Sequence, residues 1–220
     1  MTLRGRPAPA PAPAPALIIL LGIDGAGKST AAREAAKLLP DTPVLVLGNY
    51  SGRKTISALA QRFKVPLPVH VVDVLETAIR VFNVLLNHVR AARFDGVVIM
   101  DRHLYCQLAL RKARGIRRRR AVSTLLRLLP QAQAVAYFDV SAEQAHERIV
   151  LRGEDQEDLT DLEKFRKGYR GLPWYPDFAV VDASGSTASS AGQLKQIIEE
   201  VAAATAAGGT APAAPRTEGR

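Results

Sequence analysis

Residues 16–30 read ALIILLGIDGAGKST, and this stretch decides the fold. Six consecutive apolar residues, Ala16 to Leu21, are too few to cross a membrane and show no polar alternation, as expected of a strand buried on both faces. The next eight residues, Gly22 to Ser29, match G-x-x-x-x-G-K-[ST], and a helical run with a break at Pro40 follows. Strand, glycine loop and helix in this order form a phosphate-binding loop: glycines let several backbone N–H groups converge on one anion, and the helix adds its positive N-terminal end. Gly22, Asp24, Gly25, Ala26, Gly27, Lys28, Ser29 and Thr30 are therefore the expected ATP-binding residues. Lys28 is placed to reach the outer phosphates and Ser29 to put a hydroxyl on Mg²⁺.

Working outward, short β-type runs alternate with longer helical ones. Strands are expected at 16–21, 44–47, 97–100, 134–140 and 178–181. Helices are expected at 27–39, 54–63, 69–92, 104–113, 118–129, 141–151, 160–169 and 193–203. Ser141 with Gln144 three residues on has the form of a helix-capping pair. Along 69–92, Val72, Leu75, Ile79, Phe82, Leu86 and Val89 recur at steps of three and four, giving one apolar face suited to the core or to an interface; Phe82 reads as core. The pattern predicts an α/β fold: a doubly wound, five-stranded parallel sheet with helices on both faces and a small lid. Residues 1–16, a Pro-Ala repeat, and 203–220, rich in Ala, Gly and Pro, read as disordered tails around one domain at 17–202.

Val97–Met100 followed by Asp101 is a strand ending in a carboxylate, the second expected Mg²⁺-positioning group beside Ser29. No N-K-x-D segment and no D-x-x-G after the third strand occur, which argues against a GTPase. The chain has 220 residues and a net charge of +9. Seven of its positive charges lie in 111–120 (RKARGIRRRR), so the rest of the chain carries only +2. That run reads as a solvated helix face or a lid over a phosphate substrate. Nucleic-acid binding is disfavoured, since no aromatic residues interleave with the arginines. The single cysteine, Cys106, excludes an intrachain disulfide, and no apolar run is long enough to span a membrane. The expected location is the cytoplasm.

GIDGAGKST (22–30), VVIMDRH (97–103) and AVAYFDVSAEQAHERIVLRGEDQED (134–158) together resemble the thymidylate kinase family of nucleoside monophosphate kinases. The resemblance implies ATP and Mg²⁺ as the phosphoryl-donor pair, a nucleoside monophosphate such as dTMP as acceptor, and a homodimer. It assigns Asp24 to the acceptor sugar and Arg102 to the acceptor phosphate. It also assigns Arg80, 21 residues before Asp101, to the base, and Arg148 and Arg152 to the lid. Gly25 stands where some members carry a loop arginine, so the resemblance places the transition-state arginine in the lid. Arg53 and His103 are further candidate substrate contacts. The chain departs from the family at Leu21, at NYSGRKT (49–55) and at His103–Arg111, so the acceptor-reading residues have changed more than the phosphate-handling ones. Two rival readings remain: a kinase of an unphosphorylated nucleoside or other small hydroxylated metabolite, and a non-catalytic ATP-binding module with a polyanionic partner.

Overall fold

The computed structural model describes residues 16–50, 52, 68–116, 120–153 and 158–207. The expected helix at 54–63, Arg53 and the middle of the arginine run, 117–119, lie outside the described residues. Five strands, β1 (Ala16–Leu21), β2 (Val44–Gly48), β3 (Val97–Asp101), β4 (Ala134–Asp139) and β5 (Ala179–Asp182), form one sheet in the order β2-β3-β1-β4-β5. All four pairings are parallel. Seven α-helices accompany them among the described residues: α1 (Lys28–Lys37), α2 (Val69–Ala91), α3 (Leu104–Ala113), α4 (Arg120–Leu128), α5 (Ala142–Leu151), α6 (Leu159–Arg170) and α7 (Thr187–Ala206).

The central strand explains the layering. Every residue of β1 is buried, because helices cover both faces of the sheet and the neighbouring strands cover both edges of β1. The chain leaves β1 towards β2 on one side and later returns to β4 on the other. The crevice at the carboxyl ends of β1 and β3 is thus the switch point at which doubly wound sheets bind ligands. Leu20 of β1 lies opposite Asp101 of β3, which sets the end of β3 beside the glycine loop.

Helix starts follow local chemistry. Ser141 accepts a hydrogen bond from the Gln144 N–H at 3.2 Å, and Asp158 one from Thr160 at 3.1 Å, each satisfying an otherwise unpaired helix N–H. The last helix differs from the sequence expectation: it begins at Thr187 and runs to Ala206, six residues earlier and three later than expected. The early start comes from Ser186, whose hydroxyl accepts from the Ser189 N–H at 3.2 Å. The small, serine-rich segment 187–192 has no apolar period to announce a helix.

Helix α2 turns its apolar stripe outward, so of the two uses expected for that face the core is ruled out. Leu75, Ile79, Phe82, Leu86 and Val89 are exposed, Phe82 by 66%. Asp73, Glu76, Arg80, Asn87 and His88 face inward and are buried. Phe82 is therefore not a core residue. No helix among the described residues is long and apolar enough to cross a membrane.

Ser186→Ala removes the cap of α7, whose Ala191, Leu194, Ile198 and Val201 are buried. Loss of about 1 kcal/mol of unfolding free energy is expected in denaturant titration.

Candidate active site

The glycine loop, Gly22 to Gly27, has its shape forced by its surroundings. Gly22 has φ +138°, and a side chain there would bring its Cβ to 2.7 Å from the Phe138 carbonyl oxygen. Gly25 has φ +80°, and a Cβ there would collide with the Ala145 carbonyl at the start of α5. The loop is thus pressed between the end of β4 and α5 with no room for a side chain at Gly22 or Gly25. Lys28 is 5% exposed, and its ammonium donates to the carbonyls of Gly22 (2.9 Å) and Ile23 (2.7 Å). Its charge is held over the loop, where an anion's oxygens would meet it.

Two contacts join this loop to the end of β3. The Ser29 hydroxyl donates to Oδ2 of Asp101, while Oδ1 of Asp101 is buried without a hydrogen-bond partner. A hydroxyl and a carboxylate with an open oxygen are hard ligands of the type Mg²⁺ takes alongside phosphate oxygens, so this pair fits the expected metal. The described residues contain no cluster of three or more His, Cys, Asp or Glu suited to a protein-caged ion. The second contact is the ion pair between Arg102 and Asp24 of the loop. Arg102 has φ +73° and is the only non-glycine described residue in the left-handed region. Such a conformation costs on the order of 1 kcal/mol and persists where the surroundings hold it. Here the Arg102 N–H donates to the Leu20 carbonyl (3.1 Å), and its own carbonyl accepts from Asn49 (2.6 Å).

Beyond Arg102, α2 and α3 face each other across a polar seam. Arg80 is 3% exposed; its Nη1 lies 3.4 Å from the Asn49 carbonyl, and its Nε has no partner. His103 is 1% exposed. Its Nε2 lies 3.2 Å from Nε2 of His88, and its Nδ1 is unpartnered. Burial above all, with His88 and Arg80 adding to it, pulls the His103 pKa down to about 3; burial lowers that of His88 too. One neutral ring therefore donates to the other. Further along, Gln107 donates from Nε2 to Asp73 (2.9 Å), and its Oε1 is buried and unpartnered. Asp73 is in turn held by Arg111, through Nε at 3.0 Å and Nη2 at 2.8 Å.

The structure therefore gathers Asp24, Lys28, Ser29, Asp101, Arg102, Arg80 and His103 at one end of the sheet. Arg148 and Arg152 lie on the other side of the loop. Arg148 donates to the carbonyls of Ala183 (2.9 Å), Ser184 (3.3 Å) and Gly185 (3.2 Å). Arg152, at the C-cap of α5, is exposed. Asn49, Gln107 and Arg111 fall in the two segments where the sequence departs from the family, whereas Asp73, Asn87 and His88 of α2 are seam residues that the sequence did not single out. Their signal was a run of polar positions at helical spacing on α2, masked by the apolar stripe beside it. The basic run is also not one solvated face: Arg111 is buried on Asp73, Arg114 pairs with the fully buried Glu76 (3.1 Å), and Lys112 donates to the Gly171 carbonyl.

A phosphate-binding loop, an acid at the end of the neighbouring strand and inward-facing arginines define a P-loop phosphotransferase. The thymidylate kinase family model matches residues 20–192. A probable thymidylate kinase of Archaeoglobus fulgidus is 30% identical over 192 residues, covering 83% of this chain and 94% of that protein. The chain belongs to the thymidylate kinase family, as the sequence motifs implied. It is an ATP-dependent nucleoside monophosphate kinase; an unphosphorylated acceptor and a non-catalytic module are not favoured.

The neutral histidine pair predicts a pH dependence of stability. Folded His103 stays unprotonated down to about pH 3, whereas the unfolded chain takes up a proton below about 6.5. Stability is fully present above pH 6.5 and is lost as pH falls below it. Between pH 6.5 and 5.0 denaturant titrations should show wild type losing about 1–2 kcal/mol more than His103→Gln. Equal losses would mean that His103 is protonated in the folded protein.

Proposed function

We propose that this protein transfers the γ-phosphoryl group of ATP, with Mg²⁺, to a deoxynucleoside monophosphate of the thymidylate type. The observation that supports it most is Arg102, paired with Asp24 of the glycine loop: a second cation at the carboxyl end of the strands, carried by the residue after β3 and not by the loop. The name of the Archaeoglobus relative supports thymidylate as the acceptor. In the seam, Arg80 Nε, His103 Nδ1 and Gln107 Oε1 are buried with open hydrogen-bonding capacity, as a site for a polar heterocycle requires.

Two polyanions repel, so the chain's first task is to place cations between them. The loop amides and Lys28 hold the ATP phosphates. Ser29 and Asp101 would hold Mg²⁺, which supplies charge neutralisation on the transferring phosphate. Arg102 exchanges its Asp24 partner for the acceptor phosphate, and the released Asp24 carboxylate becomes free to accept from a sugar hydroxyl. The acceptor oxygen is already anionic, so no general base is needed; the stretch after β2 holds Asn49 and no acid. Arg152, exposed at the end of α5, is the lid residue proposed to neutralise charge in the transition state. Arg53 is proposed as a further acceptor contact.

The protein acts in the cytoplasm as a homodimer in this reading. A helix with a polar buried face and an apolar exposed one is ordinary only if something covers the apolar side. Leu75, Ile79, Phe82, Leu86 and Val89 of α2 are proposed to pack on the same face of a second copy. Phe82→Glu should convert dimer to monomer in sedimentation velocity at micromolar concentration; a wild-type monomer would refute this part.

Lys28→Ala should lower kcat by roughly 10²-fold or more. Arg102→Ala should raise the acceptor KM and lower kcat while ATP affinity holds. Near-normal turnover in the first variant, or selective loss of ATP affinity in the second, contradicts the assignment.

A further inference from the structure

Helix α6 packs directly on α3. Gly168 permits this: a Cβ there would collide with the Ala109 carbonyl oxygen, so a side chain would push the two backbones apart. The next residue, Tyr169, has no exposed surface. Its ring stacks on Phe165 with centroids 4.7 Å apart and lies 5.6 Å from the ring of Tyr137. Arg166 and Arg170 of the same helix hold the two carboxylate oxygens of Asp139 at the end of β4, at 2.9 Å and 2.7 Å. These contacts fix the rotation of α6 and with it the direction of the Tyr169 side chain.

That direction is the acceptor side of the site. The charged and polar groups that act on the Tyr169 hydroxyl are the Cys106 thiol, Arg102 and Arg80. Cys106 stands in the first turn of α3, and its sulfur already accepts from the His103 N–H at 3.4 Å. Sulfur is a weak acceptor, and the buried hydroxyl has no hydrogen-bond partner. Burial above all holds its pKa well above the ordinary tyrosine value, so the group keeps its proton and is available as a donor. Tyr137 also has a buried, unpartnered hydroxyl, but Asp139, Arg166, Arg170 and Tyr175 are the groups around it, none of which the acceptor reading uses.

A buried hydroxyl without a partner lowers stability, so each such group calls for an explanation. Of the two arginines, Arg102 acts on Tyr169 more strongly, and an anion is the strongest acceptor an O–H group can meet. We infer that the Tyr169 hydroxyl donates a hydrogen bond to the acceptor phosphate held by Arg102. This inference rests on the monophosphate reading of the site. It brings α6 into an acceptor site otherwise built from the glycine loop, α2 and the β3–α3 junction.

The test compares wild type, Tyr169→Phe and Tyr137→Phe as full chains. Phenylalanine removes the hydroxyl alone and keeps the ring on Phe165. With dTMP and saturating MgATP, Tyr169→Phe should raise the acceptor KM about 10-fold or more. Its KM for ATP should stay within about threefold, and Tyr137→Phe should leave both constants within about twofold. Thymidine, which lacks the phosphate, is titrated as a competitive inhibitor against dTMP; its inhibition constant should match between wild type and Tyr169→Phe. Without ligands, the urea midpoint of Tyr169→Phe should equal or exceed that of wild type, because an unpartnered buried hydroxyl has been removed. An unchanged acceptor KM overturns the inference. So does an equal rise in the thymidine inhibition constant, which would put the hydroxyl on the nucleoside. A raised KM with a lowered urea midpoint overturns it too, as the mark of a packing role. If wild type phosphorylates no monophosphate, the acceptor assignment falls and this inference with it, whereas wild-type turnover with an unmoved KM in Tyr169→Phe strikes the inference alone.

Discussion

The site depends on the register of two parallel strands. Leu20 lies opposite Asp101, so β1 and β3 end together, and the residues just beyond them, Gly22–Ser29 and Arg102, meet. A slip of one residue would turn Asp101 to the other face of the sheet and separate it from Ser29. Ile18, Leu20, Val98, Ile99 and Met100 have no exposed surface, and a slip that drew Asp101 into this dry interior would bury an unpaired carboxylate. The strained backbone of Arg102 is then held from both sides, by Leu20 of β1 and by Asn49 after β2. Functional charge is thus anchored in backbone hydrogen bonds of the sheet.

The second organising choice is the orientation of α2. Turning the polar face inward places Asp73 and Glu76 against Arg111 and Arg114, His88 against His103, and Arg80 and Asn87 against Asn49 after β2. Each buried charge must be matched there: Asp73 meets Arg111 and Gln107, and Glu76 meets Arg114. Arg80 and His103 keep open valences. A seam whose charges are paired at its far end while Arg80, His103 and Gln107 keep unpartnered atoms is arranged like a pocket, with the ion pairs as its supports. The same rotation leaves seven large apolar residues of α2 exposed, Val74 and Leu85 among them.

How much of this the sequence showed differs by residue. The loop, Asp101 and the five strands were legible because each rests on a local pattern: an apolar run, a glycine motif, a carboxylate after a strand. The seam was not, because Asp73–Arg111 and Gln107–Asp73 join positions more than thirty residues apart. Helix α2 misled for a physical reason, since periodicity gives the width of an apolar face but not its direction. The basic run misled likewise, as net charge does not reveal which arginines are buried partners. Arg148 and Arg152 are four residues apart on one helix and read alike in sequence; only the carbonyls of 183–185 separate their surroundings.

The most direct test of the account is an acceptor panel. Purified protein with ATP and Mg²⁺ is offered nucleosides and nucleoside monophosphates, and ADP release and product mass are followed. The account predicts phosphorylation of a monophosphate, dTMP foremost, with unphosphorylated nucleosides inert. Turnover of nucleosides alone would contradict it, because Arg102 would then have no acceptor phosphate to hold.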